Sequence, residues 1–166
     1  MTTLRILSLS PVFNPEVLAQ VWGLRYSVLR EPLGMPYSTA SFDGDELDTT
    51  VHLVAFSQDL LVGCVSVLID AQKPSIQLRG MAVLADQQGS GIGAKLLAAS
   101  YAIANDHQKG LWCNARHSAI AFYEKNGWTS YGPFFEIPII GKHVAMQWKI
   151  GDHGLAQDFR EAFSNP

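Results

Sequence analysis

Apolar positions along the chain recur with two periods, and each period predicts a kind of element. Residues 4–9, Leu-Arg-Ile-Leu-Ser-Leu, read as a short first strand. Asn14, Pro15 and Glu16 then supply an N-cap, a proline at the first helical position and an early acid. Val17, Val21, Leu24 and Val28 follow at i, i+4, i+7 and i+11, one face of a helix. Residues 31–48 hold two prolines, two glycines and an acidic run at 43–48, which predicts loop or short helix. Two β-branched apolar runs, 51–56 and 61–69, are divided by Ser57-Gln58-Asp59 and predict an antiparallel hairpin, with a third strand over 76–84. A helix over 94–107 carries Leu97, Tyr101 and Ala104 at helical spacing and is ended by Lys109-Gly110, the glycine taking the left-handed position past the last turn. A buried strand at 111–113, a short helix at 118–125 closed by Asn126-Gly127, and strands at 128–131 and 144–150 complete the pattern.

This order predicts an α/β fold, a three-layer sandwich whose largely antiparallel sheet is flanked by helices, rather than a doubly wound parallel sheet. Its 166 residues suit one domain over 1–150 with an appendage at 151–166, where Leu155, Phe159 and Phe163 at i, i+4 and i+8 predict a short helix. The last strand and that helix offer surfaces for a homodimer. Lys and Arg number 12 against 15 Asp and Glu, a balance that points away from nucleic acid and anionic membrane as partners. Polar residues interrupt every apolar run before the roughly 18 residues that span a bilayer, and residues 1–5 lack a signal-peptide pattern. With Cys64 and Cys113 each among apolar neighbours, the expected compartment is the cytoplasm. The five histidines show no ligand spacing, so no metal site is expected.

The chemistry concentrates where residues 83–93 run from a strand through a glycine-rich turn into a helix. Glycines let backbone approach a ligand, and the free N–H groups and dipole of a first helical turn attract an anion, so a phosphate-bearing cofactor is the expected occupant. Residues 89–94 satisfy G-x-G-x-x-[GA], the dinucleotide fingerprint. The context argues against it. Five residues separate Val83 from Gly89, and the nearest downstream acid, Asp106, lies at a helix end rather than at a second strand. Ala94 before Lys95 excludes a Walker A loop.

Gln88-Gly89-Ser90-Gly91-Ile92-Gly93 matches [QR]-x-x-G-x-[GA], and residues 119–128 match A-x-x-F-Y-E-K-x-G-[FYW]; on these two ordered motifs the chain resembles the GNAT superfamily of N-acetyltransferases. Shorter stretches, 24–30, 43–53, 114–116 and 141–143, resemble its ElaA-like branch. The resemblance covers residues 1–150 and implies acetyl-CoA as cosubstrate, splayed strands at the cofactor cleft, and direct transfer in a ternary complex to the amine of a small molecule or peptide. By position it implies that Met81, Ala82 and Val83 meet the pantetheine arm and thioester through main-chain groups. It further implies that Gln88, Gly89, Ser90, Gly91, Ile92 and Gly93 hold the pyrophosphate, with the Gln88 amide as an extra donor, and that Phe122 lies in the cofactor site. Many members carry an asparagine seven residues before the tyrosine, where this chain has Arg116; Asn114 is the candidate to take over that contact.

Acetyl transfer needs a deprotonated amine, a polarised carbonyl and a proton for the leaving thiolate. A neutral phenol meets the last need, which makes Tyr123 the candidate general acid; alternatively Phe122 and Tyr123 simply pack the helix onto the sheet. Candidates for the base are Glu46, Asp48, His52, His143 or a water chain, and the acidic run at 43–48 favours a cationic acceptor. Two other functions fit the same loop: a non-catalytic acyl-CoA sensor and an NAD-dependent oxidoreductase.

Overall fold

The structure, a computed structural model, describes residues 3–11 and 14–151. Contacts divide the described residues into two compact units, one built from those up to 70 with 78–96 and the other from 71–77 with those from 97 onward. The predicted helix through Leu155, Phe159 and Phe163 lies outside the described residues.

The first unit holds strand β1 (Leu4–Leu9), helix α1 (Pro15–Arg25), strands β2 (Thr50–Ser57) and β3 (Leu60–Leu68), and most of β4 (Ser75–Val83), in the order β1-β2-β3-β4. β1 lies antiparallel to β2 with Leu4 opposite Ser57 and Leu9 opposite His52, and β2 lies antiparallel to β3 with a bulge between Ala55 and Phe56. The helical face read from the sequence is the one that packs. Val21 and Leu24 are buried with Val54, Leu61, Cys64 and Ala82, and Val17 and Val28 pack against that cluster. Each such side chain contributes about 1.5–3 kcal/mol when fully withdrawn from water, enough to fix which side of α1 meets the sheet. Beyond Arg25 the helix widens into one π-helical turn over Tyr26–Arg30. There the Glu31 N–H reaches back five residues to the Tyr26 carbonyl. Single turns of 3₁₀ helix at Glu31–Leu33 and Tyr37–Ala40 follow.

The second unit holds the start of β4, the greater part of helix α2 (Ile92–His107), β5 (Gly110–Arg116), helix α3 (Ile120–Lys125), β6 (Thr129–Ile137) and β7 (Gly141–Trp148). Its order is β4-β5-β7-β6. β4 and β5 pair in parallel over Ser75–Gln77 and Gly110–Trp112, a ladder of only three residues, while β7 is antiparallel to β5 and to β6. The seven strands thus make the mixed, largely antiparallel sheet flanked by helices that the pattern predicts.

Several boundaries differ from the sequence reading, each for a local reason. Asn14 precedes α1, but its side-chain amide donates to the Ser10 carbonyl at 3.1 Å instead of capping the helix. α2 begins at Ile92, so Gly93 lies inside it. Past its end the left-handed residue is Gln108, at φ 53°, and Gly110 instead opens β5. β5 runs on through Arg116, which places Asn114 within the strand rather than at its end. β6 reaches Ile137 across a bulge between Tyr131 and Phe135. Among the described residues no helix is long and apolar enough to cross a membrane.

Candidate active site

In the first unit, β4, the loop after it and the first turn of α2 bring together Met81, Ala82, Val83, Gln88, Gly89, Ser90, Gly91, Ile92 and Gly93. β4 leaves the sheet at Val83, and the Leu84 N–H still donates to the Val62 carbonyl at 2.9 Å. A 3₁₀ turn at Ala85–Gln87 then fills the five-residue spacer that a dinucleotide turn does not have. Gln88 folds back so that its amide Nε2 donates to the Val83 carbonyl at 3.1 Å, and Ser90 Oγ donates to the Gln87 carbonyl at 2.5 Å. Both side chains close the loop on itself. The role read for the Gln88 amide is therefore narrower: one of its N–H groups braces Val83.

Gly89 and Gly91 have φ of 79° and 87°, where a side chain is strained, and a Cβ at either would meet open space. Exposed backbone is thus held in a conformation that glycine permits and no packing demands. The first main-chain bond of α2 runs from the Lys95 N–H to the Gly91 carbonyl at 3.1 Å. The N–H groups of Ile92, Gly93 and Ala94 accordingly have no acceptor within the helix and, with its dipole, make a cradle that an anion would fit. Only two of the three alternate glycines act through backbone freedom. The cradle is seated by Gly63 on β3, where a Cβ would come within 2.7 Å of Ile92 and 3.2 Å of Leu96. An apolar strand pattern carries no mark of that role.

In the second unit Asn114, Phe122 and Tyr123 share the β5–α3 segment. Asn114 is exposed and stands opposite Ala145, whereas Arg116 is half-buried and burial pulls its pKa down. Tyr123 is buried, edge-on to Phe122 and Trp128, each at 5.1 Å between ring centroids. Burial, then the neighbouring Cys113 thiol, pushes its hydroxyl well above the usual phenol value, so Tyr123 stays protonated. The proton is thus in place on the resting hydroxyl, and burial also makes it harder to give up. Burial likewise pushes the Cys113 thiol to about 12, against a lowering hydrogen bond with Tyr123, so it is no nucleophile at neutral pH. A network missed by motif reading pins the end of α3. Trp128 Nε1 donates to the Tyr101 hydroxyl, which donates to the Asn126 carbonyl, both at 2.8 Å.

The base candidates separate. Glu46 and Asp48 are exposed. His52 is buried with both ring nitrogens engaged, Nδ1 to Ser66 Oγ at 2.7 Å and Nε2 to the Asp45 carbonyl at 2.8 Å. The carbonyl can only accept, so Nε2 carries the proton and Nδ1 accepts from Ser66. Burial lowers the pKa of His52, outweighing the bond to Asp45, and it is a structural histidine. Ser66 in turn accepts from Arg25, whose Nη1 binds Asp45 Oδ2 at 2.6 Å, an ion pair with side chains only 0% and 2% exposed. Burial raises the Asp45 carboxyl, but Arg25, the Phe42 N–H and Trp22 Nε1 together hold it below its usual value. The acidic run is thus partly an anchor for α1. His143, also buried, differs in its bonds: its Nδ1 donates to the Gly141 carbonyl at 2.7 Å, which leaves the Nε2 lone pair of the neutral ring unengaged. Among the described residues no three His, Cys, Asp or Glu side chains group as a metal-ligand set.

The profile of the GNAT acetyltransferase domain matches residues 48–130. The Bacillus subtilis (strain 168) protein YitI, named as an uncharacterized N-acetyltransferase, is 30% identical over 129 residues, which is 74% of this chain and 85% of that one. Among solved structures, Escherichia coli ElaA superposes with a TM-score of 0.74 at 21% identity, covering 89% of this chain and all (100%) of that one. An aminoglycoside 6'-N-acetyltransferase complexed with coenzyme A superposes with a TM-score of 0.68 at 16% identity, over 89% of this chain and 98% of that one. At these identities both show a common fold.

Proposed function

This chain belongs to the GNAT acetyltransferase family and is an acyltransferase, and we propose that it moves an acetyl group from acetyl-CoA to the primary amine of a small molecule or peptide. The observation that carries this reading is the loop of residues 88–93, whose open, left-handed glycines and unpaired helical N–H groups fit a pyrophosphate. The coenzyme A in the aminoglycoside acetyltransferase of the same fold supports the cosubstrate class.

Acetyl-CoA supplies an activated carbonyl. Main-chain groups of Met81 and Val83 align the thioester, with the Val83 carbonyl already spent on Gln88 and so serving to hold the loop. The amine nitrogen bonds to the carbonyl carbon in a ternary complex with no acyl-enzyme, a reading supported by the burial of both thiols, 0% and 3% exposed. Burial takes Cys64 to about 11 and Cys113 to about 12. The carbon–sulfur bond then breaks, Tyr123 gives its proton to the departing sulfur, and the ammonium proton leaves to a base, for which, of the two candidate histidines, His143 and not His52 keeps an unengaged ring nitrogen.

Thermal unfolding with ligands tests the reading. Acetyl-CoA and CoA raise Tm in a concentration-dependent way and NAD(H) does not; stabilisation by NAD(H) without CoA overturns it.

A further inference from the structure

Three arginines, from the end of α1, the π turn and β4, surround one ring of the loop between α1 and β2. The guanidinium carbons of Arg25, Arg30 and Arg79 lie 4.3, 5.1 and 5.0 Å from the centroid of Phe42. Arg25 is matched by Asp45. Even so its Nε is, among the described residues, the buried side-chain polar atom without a partner, and it faces Gly80 of β4. Gly80 adopts φ 64°, and a Cβ there would run into that guanidinium and the edge of Phe42. Arg30, 9% exposed, donates to the carbonyls of Thr39 and Leu29.

Arg79 is the member that faces outward. It is only half-buried, and its Nη1 donates to the main-chain carbonyl of Asp43 at 2.9 Å, a neutral acceptor. No carboxylate lies within ion-pairing distance of it among the described residues. A guanidinium has five donors in a planar fork that matches a carboxylate, and a phenyl face beside it orders the fork without neutralising it.

Arg79 stands two residues before Met81 on β4, about 7 Å of strand at most. An arginine side chain together with a small amino acid covers that span. Resting on the acyl-transfer reading above, the geometry points to an acceptor that carries a carboxylate as well as its amine, a free amino acid or close relative, with Arg79 binding the acid group and Phe42 and Arg30 holding the site. This departs from the cationic acceptor expected from the acidic run, in which Asp45 is paired with Arg25 while Asp43, Glu46 and Asp48 stay exposed.

The test measures acetyl transfer to the standard amino acids and to their decarboxylated amines, lysine with cadaverine and phenylalanine with phenethylamine among them. Wild type, Arg79→Gln and Arg79→Lys are compared, with acetyl-CoA binding measured in parallel. The inference expects amino acids to exceed their matched amines in kcat/KM. It expects Arg79→Gln to raise the amino-acid KM on the order of 10- to 100-fold while KM for acetyl-CoA holds, and Arg79→Lys to recover part of the loss. Equal or better use of the decarboxylated amines, a preference unchanged in Arg79→Gln, or bound acetyl-CoA with no transfer to any amino acid overturns it and leaves the cosubstrate reading standing. Failure to bind acetyl-CoA overturns that reading, and this inference with it.

Discussion

A few residues carry the proposed chemistry, and each has a distinct physical reason to be what it is. Gly91 holds φ 87° with open space where a Cβ would point, so Gly91→Ala is strained rather than crowded. Chemical denaturation should show a loss of about 1–2 kcal/mol, and calorimetric titration a weaker affinity for CoA. Tyr123→Phe keeps the ring between Phe122 and Trp128 and removes the proton. Transfer should slow by about 10²-fold or more with the Kd of acetyl-CoA unchanged; an unaltered rate would return Tyr123 to the packing role that its aromatic neighbours equally support. Gly89 and Gly91 were legible because few residues other than glycine take their left-handed backbone. Gly63, Gly80 and Arg79 were not, because their roles depend on what another strand or loop places against them.

At the level of elements, strands and helices followed from periodicity, while their ends followed from local hydrogen bonds that periodicity does not encode. β1 was readable to the residue, and of the buried residues of α1 periodicity gave Val21 and Leu24 but not Leu18 or Arg25. The π turn was not readable. On a regular helix Arg25 and Arg30, five positions apart, point about 140° away from each other. A widened turn with an i to i+5 bond brings both to Phe42. The buried group of Arg25, Asp45, Ser66 and His52 ties α1, the following loop, β2 and β3 together, and it makes stability depend on pH. The pKa of His52 lies below its ordinary 6.5 in the folded protein, so the unfolded chain binds the proton more readily. Its contribution is therefore complete above about pH 6.5 and declines as pH falls toward the folded value, by at most about 1.4 kcal/mol per unit. Urea midpoints measured between pH 7.5 and 5.5 should fall in the wild type and fall less steeply in His52→Gln. Equal slopes would remove His52 as the source.

For the molecule as a whole, the element order predicted the class of fold, and two motifs about thirty residues apart predicted the family; both are as expected. The acceptor was not legible, because it depends on side chains that loops bring together rather than on any run of sequence. The acidic run illustrates this: as a string it is a cation-attracting surface, and in the fold one of its carboxylates is buried against an arginine. The account stands on acyl transfer itself, and the most direct measurement is the rate at which free CoA thiol appears from acetyl-CoA with and without an amine. The account predicts release that requires the amine, yields one acetylated amine per thiol and is slowed in Tyr123→Phe. Release that ignores the amine, or none with any amine despite bound acetyl-CoA, would contradict it.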